Sequence, residues 1–258
     1  MIEGVKRMCK QEYGINIKAN ISGTTFGVYM TLKDLFNVKD GNIQISESAM
    51  KNIEAVMISS SRVALSGSRK IDFFLVVITD EAITGMEIIR TFYIKDLRRV
   101  RYMDISRDEF GKRIVLDYRM NPQAAIDQAI GEITVDAVKM HEFICKQASQ
   151  RIASDFRMDE KLVGKFKITE SAGKLENGVF VFNVDIAREG LPMSELIHGK
   201  DWHKDVLLLC AKEVAHVIWA YEFQNFGKVS IINKFDNKRL EFSGKEINAY
   251  RKRRIEFE

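Results

Sequence analysis

The chain has few of the residues from which cross-linked or metal-dependent proteins are built. Its 258 residues include three cysteines, two prolines and four histidines. The cysteines are odd in number and widely spaced, so they form no disulfide framework and no Cys-x-x-Cys metal pair. Two prolines and no Gly/Ser-rich tract leave no flexible linker. These absences favour an ordinary globular protein with reduced thiols.

Long apolar runs and charge of one sign are also missing. No window has the roughly 20 apolar residues that span a bilayer, and the first eight residues lack a signal-peptide core. Lysine and arginine number 40 against 36 aspartates and glutamates, a net charge of +4. This mild excess permits an anionic partner without arguing for one. As written, the chain is expected to be cytoplasmic and to have no transmembrane helix.

Catalytic signatures are absent as well. There is no glycine-rich phosphate loop and no Gly-x-Ser-x-Gly elbow. His141 and Cys145 are four residues apart, and Glu213 and His216 are three apart, so each pair shares a helix face. Neither pair has the further convergent ligands that zinc or a di-iron site needs. The sequence therefore assigns no catalytic residue, cofactor or metal.

One histidine cluster keeps a hydrolase among the hypotheses, as the weakest of three. Asp201 stands two residues before His203 and could orient its ring, although capping of a helix by Asp201 explains the same residues more simply. A hydrolase would use His203 or His216. Its criterion is that one of these histidines converges with a carboxylate across a cleft.

The centre of the chain predicts strands that lead into a capped helix. Ile71 to Ile78 form a short, continuous apolar run typical of a strand buried on both faces. A second run covers Met86 to Ile94. Ser106 and Glu109 then form a capping box ahead of apolar residues at helical spacing as far as Tyr118. This segment describes a scaffold and not a site.

The rest of the chain groups its strands between single helices. Alternation over Ile15–Ile21 and Phe26–Met30 predicts a β-hairpin. A long helix before Asp155 is followed by a return to strand patterns. The sequence thus predicts an α+β fold of mixed or largely antiparallel sheets packed by amphipathic helices. It also predicts two lobes, residues 1–158 and 159–258, with one large domain as the alternative.

Two basic patches provide the second hypothesis. Basic residues beside aromatic ones can contact phosphates and stack bases, although acidic neighbours favour a solvated face. The alternative function is therefore a cytoplasmic protein that binds nucleic acid or another polyanion with salt-sensitive affinity. Its residues are Arg98, Arg99 and Arg101 near Tyr93 and Tyr102, and Arg251, Lys252, Arg253 and Arg254 after Tyr250.

Several segments resemble a group of bacterial proteins. Cys9–Gly14, Lys18–Thr25 and Val28–Tyr29 are similar to the start of uncharacterised bacterial envelope lipoproteins, in which a lipid-modified cysteine leads directly into a β-rich domain. Ser106–Phe110 and Trp219–Phe223 are similar in style to the same proteins. The resemblance implies lipidation of Cys9 and offers no catalytic residue.

The leading hypothesis follows from this resemblance and from the missing catalytic groups. It is a non-enzymatic binding or assembly protein of the bacterial cell envelope, with a protein partner there and an anchor at Cys9. Only eight residues precede Cys9, so the hypothesis expects the native gene to extend upstream and to encode an apolar leader. The location would then be periplasmic or membrane-anchored.

Overall fold

In the computed structural model the chain divides into two compact units, Met1–Val138 (unit 1) and Lys139–Glu258 (unit 2). The structure describes residues 1–39, 42–83, 85–122, 135–160, 162–189 and 202–252. Within them, seven helices and eleven strands form mixed and antiparallel sheets, which confirms the predicted α+β class.

The division between the units precedes a helix that the sequence prediction had placed in the first lobe. This helix, Met140–Met158, buries Ile144, Ile152 and Phe156 in one hydrophobic cluster with Phe180. Its apolar face thus belongs to the strands that follow it. The boundary therefore lies before residue 140 and not after residue 158.

Unit 1 contains four helices and seven strands within the described residues. The helices are α1 Ile2–Tyr13, α2 Glu47–Ser66, α3 Ile94–Arg101 and α4 Arg107–Arg113; the strands are β1 Ile17–Ser22, β2 Thr25–Leu32, β3 Phe36–Lys39, β4 Asn42–Ile45, β5 Phe73–Asp80, β6 Met86–Tyr93 and β7 Val115–Met120. Helix α1 was not predicted from the sequence. This helix ends at Gly14, whose φ of 71° is the left-handed conformation that glycine adopts without a steric penalty.

Five strands of unit 1 form one sheet, in the order β1-β2-β5-β6-β7. β2 and β5 are parallel, and the other neighbours are antiparallel. The predicted hairpin is confirmed as β1 and β2, joined by a two-residue turn at Gly23-Thr24. The predicted central strands are confirmed as β5 and β6, and all but one residue of β5 are buried.

Aromatic rings form a row through the core of unit 1. Phe26, Phe74, Phe92 and Phe110 come from β2, β5, β6 and α4, with successive ring centroids 5.8, 5.9 and 6.1 Å apart. Such offset contacts add to the free energy gained by burying the rings. They connect the sheet to the helical layer on one side.

The opposite face of this sheet is buried too. Tyr29 and Val77 lie outside the helix-facing cluster, yet their exposed fractions are 7% and 2%. Val135 lies directly over Gly27, where a Cβ would come within 2.3 Å of a valine methyl. The sheet of unit 1 is therefore covered on both faces, as the apolar run of β5 predicts.

Unit 2 contains three helices and four strands within the described residues. They are α5 Met140–Met158, α6 Trp202–Ala220 and α7 Gly244–Lys252, with β8 Phe166–Glu176, β9 Val179–Arg188, β10 Lys228–Asn233 and β11 Lys238–Ser243. The strand order is β11-β10-β9-β8, with β9 and β10 parallel between two antiparallel hairpins. One face of the sheet packs on α5 and α6.

Some local predictions are wrong. The helix expected from Ser106 to Tyr118 ends at Arg113, and Val115–Met120 is strand β7. β-branched Ile114 and Val115 fit a pleated surface better than a helix, and pairing with β6 satisfies the backbone. Thr31–Asp34 could also cap a short helix through Leu35–Phe36, but strand β3 begins at Phe36 instead. Asp40-Gly41 is a sequence signal for a turn and Leu191–Lys200 has the pattern of a loop, but both lie outside the described residues.

Candidate binding groove

Helix α1 buries two apolar side chains and exposes the charged side chains of Glu3, Arg7 and Lys10. Val5 and Cys9 are fully buried against unit 1. The backbone N–H of Ile15 donates to the carbonyl of Cys9 at 3.2 Å, so the chain turns from the helix directly into the first strand. As a result, α1 lies next to β1.

A surface cavity of about 680 Å³ lies between these two elements, and we call it the β1 groove. Its lining residues are Glu3, Lys6, Arg7, Lys10 and Gln11 of α1, with Asn16 and Ile17. A second cavity of about 500 Å³ shares Asn16 and Ile17 and adds Lys18, Lys33 and Glu81 among others. The two cavities therefore meet at the start of β1.

The β1 groove holds three cations and one anion. Lys6 pairs with Glu3 at 2.9 Å, whereas Arg7 and Lys10 form no ion pair with any residue that the structure describes. Lys18 in the adjoining cavity is likewise without an ion pair among described residues. Unpaired cations on a concave surface create a positive potential that attracts anions.

The predicted basic patch of α3 is arranged differently. Arg98 and Arg101 are exposed, but Arg99 lies 3.4 Å from Asp96. Asp96 is buried and also pairs with Arg113 at 2.8 Å. Part of this basic cluster therefore stabilises the packing of α3 on α4.

The residues after α3 and those at the end of α7 add little support for a binding site. Tyr102 and Met103 lie on the turn that follows α3 and are 74% and 90% exposed. Arg251 and Lys252 form the end of α7, and their side chains lie outside the described part of the chain. Arg253 and Arg254 lie outside the described residues altogether. Polyanion binding by these patches stays a prediction.

His203 has a carboxylate partner, which is one part of the criterion for the hydrolase hypothesis; the other part is a cleft between the two groups. The partner is Asp236 of the β10–β11 turn, and Asp201 lies outside the described residues. His203 Nδ1 contacts Asp236 Oδ2, and the His203 ring stacks on that of Trp202 with the ring centroids 3.8 Å apart. The pair joins the first turn of α6 to the hairpin. All three cysteines are buried, so none is placed as a nucleophile for it.

The cysteines behave as small core residues. Burial raises the pKa of Cys145 and of Cys210 to about 12, and it also raises the pKa of Cys9. The sulfur of Cys9 is enclosed between α1 and the core, so lipidation there would require α1 to leave the core. The fold therefore gives the predicted lipid anchor no support.

Other kinds of site can be addressed within the described part of the chain. No group of three or more histidine, cysteine, aspartate or glutamate side chains there could hold a metal ion. His141 and Cys145 thus do not gain further ligands. Among the described helices, none is long and apolar enough to cross a bilayer.

Comparisons of the chain with protein-family models, with curated protein sequences and with solved structures found no match. The envelope location, the anchor at Cys9 and the binding or assembly function stay predictions. A function is therefore inferred from the surfaces of the molecule itself.

The β1 groove was not predicted, although one signal was present. Lys6, Arg7 and Lys10 have the three- and four-residue spacing that places side chains on one side of a helix. A search for contiguous basic runs passes over them because Glu3 and Glu12 dilute the local charge. The contribution of Asn16 and Ile17 depends on the reversal of the chain at Gly14, which becomes apparent only in the fold.

Proposed function

We propose that this chain is a non-enzymatic binding protein whose partner is negatively charged and binds in the β1 groove. The observation that carries the proposal is the convergence of Arg7 and Lys10, both without an ion-pair partner among described residues, on one concave surface. A bound anion would neutralise charges that the fold leaves uncompensated. Lys18 would extend the same field along β1.

The groove supports this function better than the α3 patch does. Arg99 already has a buried acidic partner in Asp96, so its charge is partly compensated within the fold. Arg98 and Arg101 project from a helix end, whereas Arg7 and Lys10 line a cavity together. Concave placement lets one ligand contact several cations at once.

The test compares two double variants with the same change of charge. Arg7→Gln with Lys10→Gln alters the groove, and Arg98→Gln with Arg101→Gln is the matched control on α3. Glutamine suits a helix as well as the residues it replaces. Binding of labelled polyglutamate, single-stranded DNA and heparin is measured by fluorescence anisotropy at low and high salt.

We expect at least one polyanion to bind wild type with affinity that falls as salt rises. The groove variant should bind it about tenfold more weakly, which is about 1.4 kcal/mol, and the α3 variant should stay within about twofold of wild type. Equal or greater loss in the α3 variant would assign binding to the patch near residues 95–101. Absence of binding to all three probes would refute the proposal.

A further inference from the structure

The strand beside the β1 groove is an edge strand. β1 pairs with β2 and with no other strand that the structure describes. The two strands are joined by a two-residue turn, so Ser22 and Thr25 next to the turn exchange backbone hydrogen bonds. Hydrogen-bonded pairs alternate along an antiparallel ladder. The N–H and C=O groups of Ile17 and Ala19 therefore point away from β2.

A side-chain contact supports this assignment independently. The N–H of Ile21, which by the same alternation points outward, donates to the side-chain oxygen of Asn20 at 2.7 Å. Asn20 thus satisfies one outward donor at the end of β1 near the turn. The donors of Ile17 and Ala19 lie further along, towards the groove.

The open part of the edge and the unpaired cations lie at the same place. Ile17 lines both cavities, and Arg7 and Lys10 approach it from α1. A strand added to this edge would direct every second side chain towards the helix-bearing face. Acidic side chains at those positions would come next to the cations of α1.

We infer that the β1 groove binds an acidic, extended polypeptide segment, which joins the sheet as a strand beside β1. Backbone hydrogen bonds to Ile17 and Ala19 hold the segment, and Arg7 and Lys10 select its carboxylates. Strand addition of this kind takes affinity from the main chain and specificity from alternate side chains. The inference rests on the proposed function and names its partner class.

The alternative occupant, a nucleic acid, would use the groove differently. Its phosphates would contact Arg7 and Lys10, but it could not continue the ladder of β1. A change that blocks only the backbone edge therefore separates the two partners. Ala19→Pro is such a change, because proline removes an outward N–H and leaves the β1–β2 hydrogen bonds in place.

The experiment measures binding of an eight-residue peptide of alternating glutamate and valine. Wild type is compared with Ala19→Pro and with Ala19→Ser, which keeps the amide. A second peptide carries N-methyl groups on alternate residues, so that the strand edge is blocked on the ligand instead of the protein. Circular dichroism and thermal unfolding establish that each variant is folded.

We expect wild type to bind the peptide, Ala19→Pro to lose about tenfold in affinity, and Ala19→Ser to stay within about twofold. N-methylation should weaken binding to wild type by a similar factor. Peptide binding that depends on Arg7 and Lys10 but survives both backbone blocks would overturn strand addition and leave the proposed function intact. Groove-dependent binding of single-stranded DNA without peptide binding would do the same. If no anionic probe bound to wild type, both strand addition and the proposed function would be refuted.

Discussion

Unit 1 and unit 2 repeat one order of elements. In each, a helix precedes a hairpin of the main sheet, a second helix follows, and another hairpin continues that sheet, to which unit 1 adds β7. The inner strands are parallel in both cases, β2 with β5 and β9 with β10. The order β1-β2-β5-β6 in unit 1 therefore corresponds to β8-β9-β10-β11 in unit 2. One architecture is built twice from segments without recognisable sequence repetition.

The correspondence extends to single buried side chains. Asp80 ends β5 and Asn233 ends β10, and both side chains are buried. Each forms a hydrogen bond with a backbone group that lies past its register partner on the neighbouring parallel strand. Asp80 accepts from the N–H groups of Leu35 and Ala82, both at 2.7 Å. Asn233 accepts from the N–H of Ile186 at 3.0 Å and donates to its carbonyl at 2.9 Å. The carboxylate of Asp80 only accepts hydrogen bonds, which suits two backbone N–H donors. The amide of Asn233 both accepts and donates, which suits the N–H and the carbonyl of Ile186.

The units differ on the face of the sheet opposite to the helix-facing core, which we call the second face. In unit 1 this face is buried, as Tyr29 and Val77 demonstrate. In unit 2 it carries charged pairs, such as Lys234 with Glu170 at 3.0 Å. Their side chains remain about half exposed, which is typical of a solvated surface.

The edge strands differ as well. β8 has a register irregularity between Ile168 and Glu170, and irregular edges discourage further pairing. β1 pairs with β2 without such an irregularity. The same architecture thus has a protected edge in unit 2 and, in unit 1, a regular edge beside unpaired cations. Strand addition at β1 would depend on this regular edge and on the cations beside it.

The largest expected effect concerns the two strand-end residues. Asn233→Asp removes the donor to Ile186 and places an uncompensated charge against a carbonyl. We expect the free energy of unfolding to fall by about 3 kcal/mol or more. Asp80→Asn turns an amide N–H₂ towards a backbone donor and should cost about 1–3 kcal/mol. Urea unfolding followed by circular dichroism measures both losses.

Asn183→Asp is the matched control for the larger change. Asn183 lies on the partly exposed face of β9, where solvent can hydrate a new carboxylate. Its effect should stay within about 0.5 kcal/mol. If Asn233→Asp cost no more than this control, the hydrogen bonds at the strand end would not be the feature that unites the two units.

Much of this shared architecture could be predicted from local patterns. Alternation at β1 and β2 and the apolar run of β5 reflect pairing and burial that neighbouring residues already encode. Val115–Met120 could not be assigned in this way, because its apolar spacing suits a helix or a strand. Pairing with β6 decides the outcome, and that contact is distant in sequence.

The candidate site was less predictable for the same reason. Arg7 and Lys10 are visible in the sequence, but their approach to Ile17 depends on the turn at Gly14. The partner of His203 could not be predicted either, since all of β10 and most of α6 lie between His203 and Asp236 in the sequence. Sites made of distant segments are determined by topology, which local spacing does not contain.

An intermediate effect is expected from the buried thiols at high pH. Cys145 and Cys210 have a pKa of about 12, against an ordinary value of 9.0. Below pH 9 both states keep these thiols protonated. Between pH 9 and 12 they ionise in the unfolded chain first, so stability falls by up to about 1.4 kcal/mol per pH unit for each thiol.

The double variant Cys145→Ala with Cys210→Ala should therefore lose less stability than wild type between pH 8 and pH 10. The comparison uses the pH slope and not the absolute stability, because alanine also leaves small cavities. Cys9→Ala is the counterpart in unit 1 and should flatten the slope less, since it removes one thiol. Parallel slopes for wild type and the double variant would contradict the burial of the unit 2 thiols.

The smallest expected effect tests the difference between the two second faces with one substitution made twice. Val77→Thr places a hydroxyl on the covered face of unit 1, where the residue is 2% exposed, and should cost about 1–2 kcal/mol because the hydroxyl is desolvated. Val181→Thr makes the same change on the second face of β9, which solvent reaches, and should stay within about 0.5 kcal/mol. Both are measured by urea unfolding. Equal losses would mean that the second face of unit 2 is also covered, and the contrast between the units would then be confined to their edges.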